Sequence, residues 1–567
     1  MKRNLLADFT PQFFLSMKGY NKEKFTKDLM AGIIVGIVAL PLAIAFGIAS
    51  GVSPEKGLFT AIIGGFIVSF LGGNTVQIGG PTGAFIVIVF GIIQQFGMTG
   101  LIVATFLAGI MLVVMGFLKL GTVIKFIPYP IIVGFTAGIA LTIFSTQIKD
   151  LFGLNIDGGV PSGFIEKWGV YFRNLTSINW WVLGIGVASI LIIVYSSKVT
   201  KKIPGSLIAI IVMTVAVYLL RKFAGIEGIE TIGDRFIINN ELPDITPVPI
   251  DLDAVRQLFP SAFTIAILCA IESLLSAKVA DGVTGDKTNS NMELVAQGAA
   301  NMVTPLFGGI PVTGAIARTM TNINNGGRTP VAGIVHAVVL LLILLFLGDL
   351  TRHIPMACLA GVLVVVSYNM SEWRSFRDLL KGSKADAAVL VTTFLLTVIF
   401  DLTIAIEVGL VLAIFLFLKR VTETTEVSVI KNELNLSDDN EMASADEKLT
   451  LPKGVEVYEI DGPFFFGIAN KFDEKMRITG DKAIARIIRM RKVPFIDSTG
   501  LHNLETLCMK AKNENICIIL SGVRPNVREK LEKAGFRELI GDENICDNIN
   551  KALARANEVI ETYISKT

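Results

Sequence analysis

The chain is poor in charge, in histidine and in cysteine. Of 567 residues only 18% are charged, three are histidine and five are cysteine. Soluble domains carry about 25% charged residues. Cys269, Cys358, Cys508, Cys517 and Cys546 are odd in number and form no CxxC, so the sequence offers no disulfide framework and no zinc site. His336, His353 and His502 each stand alone in their segments, which leaves no Ser-His-Asp triad and no histidine metal cluster to assemble. The reading is therefore not an enzyme and needs no cofactor or metal. A net charge of +2 is too small to attract nucleic acid. The stretch DGVTGDKT (281–288) lacks the GxxxxGK[ST] spacing of a phosphate loop. A cleavable leader is also not expected, because residues 1–28 are mixed and polar and the first apolar span then reads as a retained anchor.

Apolar residues make up the difference, at 52% with a mean hydropathy of +0.62. They concentrate between 29 and 420. Hydrophobic elements fall at 29–49, 57–73, 82–96, 100–118, 124–148, 180–196, 205–221, 261–280, 293–307, 314–325, 330–347, 354–369, 385–400 and 402–419. A membrane span needs about 20 apolar residues. The third and tenth elements are too short, since 15 residues of helix rise about 22 Å against a hydrocarbon core of about 30 Å. A broken span is tolerable only where protein or a watery cavity surrounds it. Polar stretches at 149–179 and 222–260 interrupt the region, and the second separates seven elements from seven.

Both short elements open on the same motif. Residues 79–84 read GGPTGA, and residues 308–315 read GGIPVTGA. The copies occupy the third element of each seven. An odd number of spans per repeat inverts the second repeat in the membrane. Two matched broken helices, each aiming its N-terminus at a shared midplane site, leave this trace in a sequence.

Charge orients the chain. Lys2, Arg3, Lys18, Lys22, Lys24 and Lys27 precede the first element, and Lys198, Lys201, Lys202, Arg374, Arg377, Lys381 and Lys384 lie in short loops on the same side. Short basic loops mark the cytoplasmic face. Both termini are then expected inside, at the cell's inner (plasma) membrane, among lipids.

Beyond 420 the character changes. Residues 431–448 are acidic and free of aromatics, as in a linker or long loop. From 455 the pattern alternates: strands VEVYEI, IARIIRM and ICIIL, with helices near 469–478, 499–513, 525–534 and 545–564. This is a small α/β domain.

The duplicated motif (GGPTGA and GGIPVTGA), the stretch ESLLSAKVADG (272–282), and the tail motifs GPFFFGIANKF (462–472) and IDSTGL (496–501) resemble the SulP (sulfate permease) anion transporters, with a tail similar to their STAS domain. The resemblance covers nearly the whole chain. It implies an α-helical membrane protein of 14 transmembrane segments in a 7+7 inverted repeat, followed by a soluble α/β STAS domain. The implied division is a cytoplasmic segment at 1–28, a transport domain at 29–420, a linker at 421–452 and the STAS domain at 453–567. Within the transport domain a core (spans 1–4 and 8–11) moves against a gate (spans 5–7 and 12–14). The family also implies a homodimer and small anions as substrates, of the sulfate, bicarbonate or dicarboxylate class.

Half-helix amides at Thr82, Gly83, Ala84 and Phe85, and at Thr313, Gly314, Ala315 and Ile316, are the candidate anion ligands. Each helix end contributes up to about 2 kcal/mol toward an anion, whereas dehydrating one ion costs several kcal/mol. Two ends therefore roughly offset a monovalent charge and fall short for a divalent one. Arg318, four residues after Gly314 on the same helical face, is the candidate for the missing positive charge. Its plain alternative is a structural or snorkelling arginine. Pro41 suggests a kink in the first span, and Phe46 and Phe85 are candidate cavity walls. Gln77 either lines the cavity or caps the turn.

Glu272 lies inside an apolar span with Ser276 at i+4 on its face. A lone carboxylate there must be protonated, paired or bound to a cation. One reading is a proton carrier; another is a sodium site built from Glu272 and Ser276; a third pairs Glu272 with Arg318 or Lys278. The sodium-coupled bicarbonate carriers that this site resembles have aspartate, threonine and threonine where this chain has Glu272, Ser276 and Ile316. That difference favours proton-coupled symport by an elevator-like movement over sodium symport. More distant alternatives are a nucleobase permease, which would need neither Arg318 nor the tail, and a membrane-tethered regulator acting through the tail. In the tail, Thr499 matches a loop hydroxyl phosphorylated in regulators of the same fold, with Ser498 beside it; either could simply cap the following helix.

Overall fold

The computed structural model describes residues 9–122, 128–156, 160–161, 163–199, 204–226, 228–237, 245–248, 251–400, 402–430, 433–435, 448–468 and 483–565. The chain divides into two compact units, Met1–Ala413 and Ile414–Thr567.

The first unit is helical. A short helix, α1 (Gln12–Ser16), precedes α2 (Lys22–Ala49), which Asn21 caps by accepting from the Lys24 amide at 2.9 Å. The helix α2 runs unbroken through Pro41. The next element is α3 (Pro54–Phe59), a π turn over Thr60–Gly64, and α4 (Gly65–Leu71). The strand β1 (Gly79–Gly80) and a 3₁₀ turn (Gly83–Phe85) lead into α5 (Ile86–Phe117). Gly97, at φ 67°, interrupts α5 between the third and fourth hydrophobic elements.

The helices α6 (Tyr129–Phe152), α7 (Phe164–Arg173), α8 (Trp180–Val199), α9 (Gly205–Ala224) and α10 (Ile232–Arg235) follow. Then come α11 (Leu252–Thr284) and α12 (Ser290–Val303), the strand β2 (Thr313–Gly314), and the nine-residue α13 (Ile316–Asn324). The unit closes with α14 (Val331–Thr351), α15 (Met356–Met370), α16 (Trp373–Leu380) and α17 (Lys384–Ile399); α18 (Leu402–Thr424) follows. Every hydrophobic element read from the sequence falls on one of these helices. Eight described helices are long and apolar enough to cross a membrane. The helices α7 and α16 lie in stretches read only as polar. Both are amphipathic, with apolar residues too few for a span.

Between apolar helices in lipid, close packing replaces the hydrophobic drive. Gly32 and Gly36 of α2 form a GxxxG step, and a side chain at either would collide with Val335 or Val339 of α14. Gly109 of α5 and Gly298 of α12 meet backbone to backbone in the same way. The π turn brings Gly64 against Val312 and Gly65 to the Gly79 carbonyl, so the two short strands lie directly on this helix.

The second unit is an α/β domain. Its sheet has the order β3 (Glu426–Ile430), β6 (Val455–Asp461), β7 (Ala485–Lys492), β8 (Cys517–Ser521), β9 (Ile545–Cys546). The strands from β6 onward are parallel, and β3 pairs antiparallel with β6. The stretch read as linker thus supplies the edge strand, and β4 (Glu433–Asn435) pairs with β5 (Lys448–Thr450) beside it in sequence. Parallel strands need crossovers: α19 (Ser498–Asn513) leads from β7 to β8, the helices Pro525–Lys533 and Phe536–Ile540 lead from β8 to β9, and the final helix Ile549–Ile564 packs back on β7 and β8. Of the FFFG run, Phe464 and Phe465 are buried and Phe466 is exposed. The helix expected near 469–478 lies outside the described residues.

Candidate functional site

The two copies of the motif meet. The strands β1 and β2 pair antiparallel, with Gly79 opposite Gly314 and Gly80 opposite Thr313. Each strand runs within a few residues into a helix. Antiparallel pairing sends those helices in opposite directions, with both N-terminal ends left at the ladder. The first helical hydrogen bond on one side is Phe85 N to Thr82 O at 3.3 Å, so the amides of Gly83 and Ala84 precede it. On the other side it is Thr319 N to Ala315 O at 2.9 Å, leaving Ile316, Ala317 and Arg318 ahead of it. Such leading amides carry the positive end of the helix dipole.

Arg318 joins the copies. It is 2% exposed, and its Nη2 donates to the carbonyl of Pro81, the proline of the first copy. Its Nη1 has no partner among the described residues. Gly80, at φ +150°, has no side chain where the Arg318 guanidinium lies, and Gly314 leaves the same kind of room for the Gln77 amide. Any other residue at either position would push these groups out.

The threonines differ although their motifs match. Thr313 shares a 2.8 Å hydrogen bond with Ser273 Oγ and donates to the Cys269 carbonyl at 3.3 Å. Thr82 Oγ1 is buried without a partner among the described residues, as is Gln77 Oε1. Gln77 donates through Nε2 to the Ser273 carbonyl at 3.2 Å, and its amide lies against Gly314. Phe46 lies against Gly83, with Ile143 and Met370 on the same side, and Phe85 is fully buried. Ala315 is buried, whereas Ile316 is 41% exposed.

The helix α11 brings Glu272 to this region. Its carboxylate is half-buried and has neither a hydrogen bond nor an ion pair among the described residues, so the pairing with Arg318 or Lys278 is not formed. Ser276 is buried and donates to Thr319 Oγ1 at 3.3 Å, not to Glu272. No grouping of three or more His, Cys, Asp or Glu able to hold a metal occurs among the described residues.

The sequence reading missed the groups that hold the strands. Ser273 Oγ accepts from the Gly314 amide at 3.0 Å. Asn301 clamps Val312 from both ends, Oδ1 accepting from its amide at 2.9 Å and Nδ2 donating to its carbonyl at 2.8 Å. Glu293, fully buried, accepts from Gln297 and from the Gly73 amide, each at 2.9 Å. His336 is fully buried with both ring nitrogens unpartnered among the described residues. Polar side chains inside apolar spans were the available signal.

In the second unit, Asp497 caps α19, accepting from the Gly500 amide at 2.7 Å and from Phe466 N at 3.2 Å. Ser498 and Thr499 are exposed. The capping explanation for these hydroxyls falls away, because the carboxylate already does that work.

The model for the sulfate permease family matches residues 25–393, and that for the STAS domain matches residues 448–552. The chain belongs to the sulfate permease family. This permease is 42% identical over 534 residues to the candidate sulfate transporter YvdB of Bacillus subtilis, covering 94% of this chain and 98% of YvdB. It is 30% identical over 541 residues to the bicarbonate transporter BicA of a Picosynechococcus species, covering 93% and 94%. The inward-facing structure of the murine anion transporter Slc26a9 superposes with a TM-score of 0.86 at 19% identity, over 98% of this chain and 95% of that one. The permease thus has the helical membrane-transporter fold of that protein, with a C-terminal STAS domain.

Proposed function

We propose that the permease carries a small anion of the sulfate, bicarbonate or dicarboxylate class, held between the leading amides near Thr82 and those near Thr313. The observation that carries this reading is the antiparallel pairing of the two motif copies, with Arg318 spanning from one to the other. Gly83, Ala84 and the free hydroxyl of Thr82 face an anion from one side. Ala315, Ile316 and Arg318 Nη1 face it from the other, with Gly314 and Phe85 fixing the turn geometry. Thr313 acts through the backbone, since its hydroxyl is already engaged by Ser273.

Glu272 would carry a coupled proton, making the cycle a symport. Sodium is the alternative, and the departures at Glu272, Ser276 and Ile316 from the residues of sodium-coupled carriers argue against it. In this reading spans 1–4 and 8–11 form a core that slides, elevator-like, against a gate of spans 5–7 and 12–14. The permease works as a homodimer in the inner membrane, with both termini and the STAS domain (453–567) in the cytoplasm beyond the 421–452 stretch. Thr499, with Ser498 second, is the candidate phosphorylation site.

Uptake into proteoliposomes tests the reading, using a panel of anions under imposed proton and then sodium gradients. Uptake abolished in Arg318→Ala, and no longer driven by a proton gradient in Glu272→Gln, is the expected result. Normal gradient-driven uptake in both variants would remove the mechanism.

A further inference from the structure

The helix α6 packs on α17 through glycine. A side chain at Gly134 would meet the Leu390 carbonyl at 2.6 Å, and one at Gly138 would meet Thr397 Cβ at 2.6 Å. Its neighbouring face carries the small residues Ala137 and Ala140, which leave a groove of about 460 Å³. Phe144, Val364, Tyr368 and Phe394 complete most of its lining. The groove falls within the size range of ligand pockets and its lining is nearly all apolar.

The α16 side of the groove is built differently. There α16 presents Trp373 and Phe376 to the lining, and Phe376 packs edge-on against Phe394 with ring centres 5.3 Å apart. The Trp373 indole donates to the Tyr368 hydroxyl at 3.2 Å. The guanidinium carbons of Arg374 and Arg377 lie 5.6 and 5.4 Å from the Trp373 ring centre. Arg374 has no carboxylate partner among the described residues, and Arg377 reaches only Asp378 at 3.6 Å, both of these side chains being more than half exposed. A short helix that sets tryptophan and phenylalanine beside arginines stacked on the tryptophan ring suits a membrane interface. Clustered basic side chains at that depth attract anionic headgroups.

We propose that this groove holds one acyl chain of an anionic phospholipid, with its phosphate on Arg374 and Arg377. Charge complementarity at the rim and the apolar lining behind it select that occupant. The site has a mechanical consequence. Ile143 of α6 and Met370 of α15 join Phe46 in approaching Gly83, so the chain would brace, from behind, two of the helices that face the candidate anion site.

Native mass spectrometry of the full chain, offered phosphatidylglycerol and phosphatidylcholine, tests the site. The wild type retains phosphatidylglycerol preferentially. The preference falls about fivefold for each arginine removed, so about 25-fold in Arg374→Gln with Arg377→Gln, while Arg374→Lys with Arg377→Lys restores it and reports that the fold survives. Ala140→Phe, which fills the groove, lowers retention of both lipids. Equal retention of the two lipids by the wild type overturns the proposal, as does full selectivity in the double glutamine variant. So does a Tyr368→Cys cross-link between two copies, which would make a second protomer the occupant.

Discussion

Replacing Arg318 is the perturbation that separates a built anion site from a structural turn. In Arg318→Gln the Pro81 carbonyl loses its donor, and the leading amides lose the only guanidinium that reaches across the ladder among the described residues. A hydrogen bond to a charged group contributes about 1.5–3 kcal/mol, which converts to a rise in KM of about 10- to 150-fold. The loss grows with substrate charge, because two helix ends roughly balance one negative charge and not two. Uptake of a dianion should therefore fall further than uptake of a monoanion by the same variant. Arg318→Lys keeps the charge but not the fork, so it cannot hold Pro81 and the anion together, and its KM should lie between the two. The assay is initial-rate uptake in proteoliposomes across an anion panel, with thermal unfolding run in parallel. An unchanged KM for every transported anion in a folded Arg318→Gln protein would refute the reasoning.

Other outcomes follow from particular contacts. Gly80→Ala places a methyl group on the Arg318 guanidinium at a φ of +150°, so uptake should collapse with a stability loss of about 1–3 kcal/mol, read as a lower melting temperature. Asp28 is fully buried and accepts from Arg328 N at 2.8 Å, Thr329 Oγ1 at 2.5 Å and Tyr20 Oη at 3.0 Å; Asp28→Asn turns one acceptor into a donor facing donors and should cost about 1–3 kcal/mol by the same measurement. Glu272→Gln should abolish accumulation driven by a proton gradient and leave anion exchange, measured by counterflow. Cys508 is buried and its thiol is pushed up to about 12 by desolvation, so it should resist iodoacetamide at pH 8 until the domain unfolds, as peptide mass spectrometry would report.

What the sequence disclosed was periodic or repeated. Apolar length located the helices, and the twin motif GGPTGA and GGIPVTGA located the two breaks. What it withheld depends on partners distant in the chain. Nothing local says that Gly80 will lie opposite Thr313, or that Arg318 will reach Pro81 across the ladder. Thr82 and Thr313 look equivalent as letters, yet Ser273 engages only one of them. The amphipathic α16 was hidden because eight residues are too few to stand out in a hydropathy profile. The edge strand Glu426–Ile430 was hidden because it follows a long apolar helix with almost no turn signal. Asp497 was passed over as the cap because two hydroxyl residues beside it were also able to fill that role.

The most direct test is a structure of the full chain bound to whichever anion the uptake panel selects. The anion is expected within hydrogen-bond reach of the Gly83 and Ala84 amides and of Arg318 Nη1. An anion bound elsewhere, with Arg318 satisfied by protein groups alone, would contradict the proposed function.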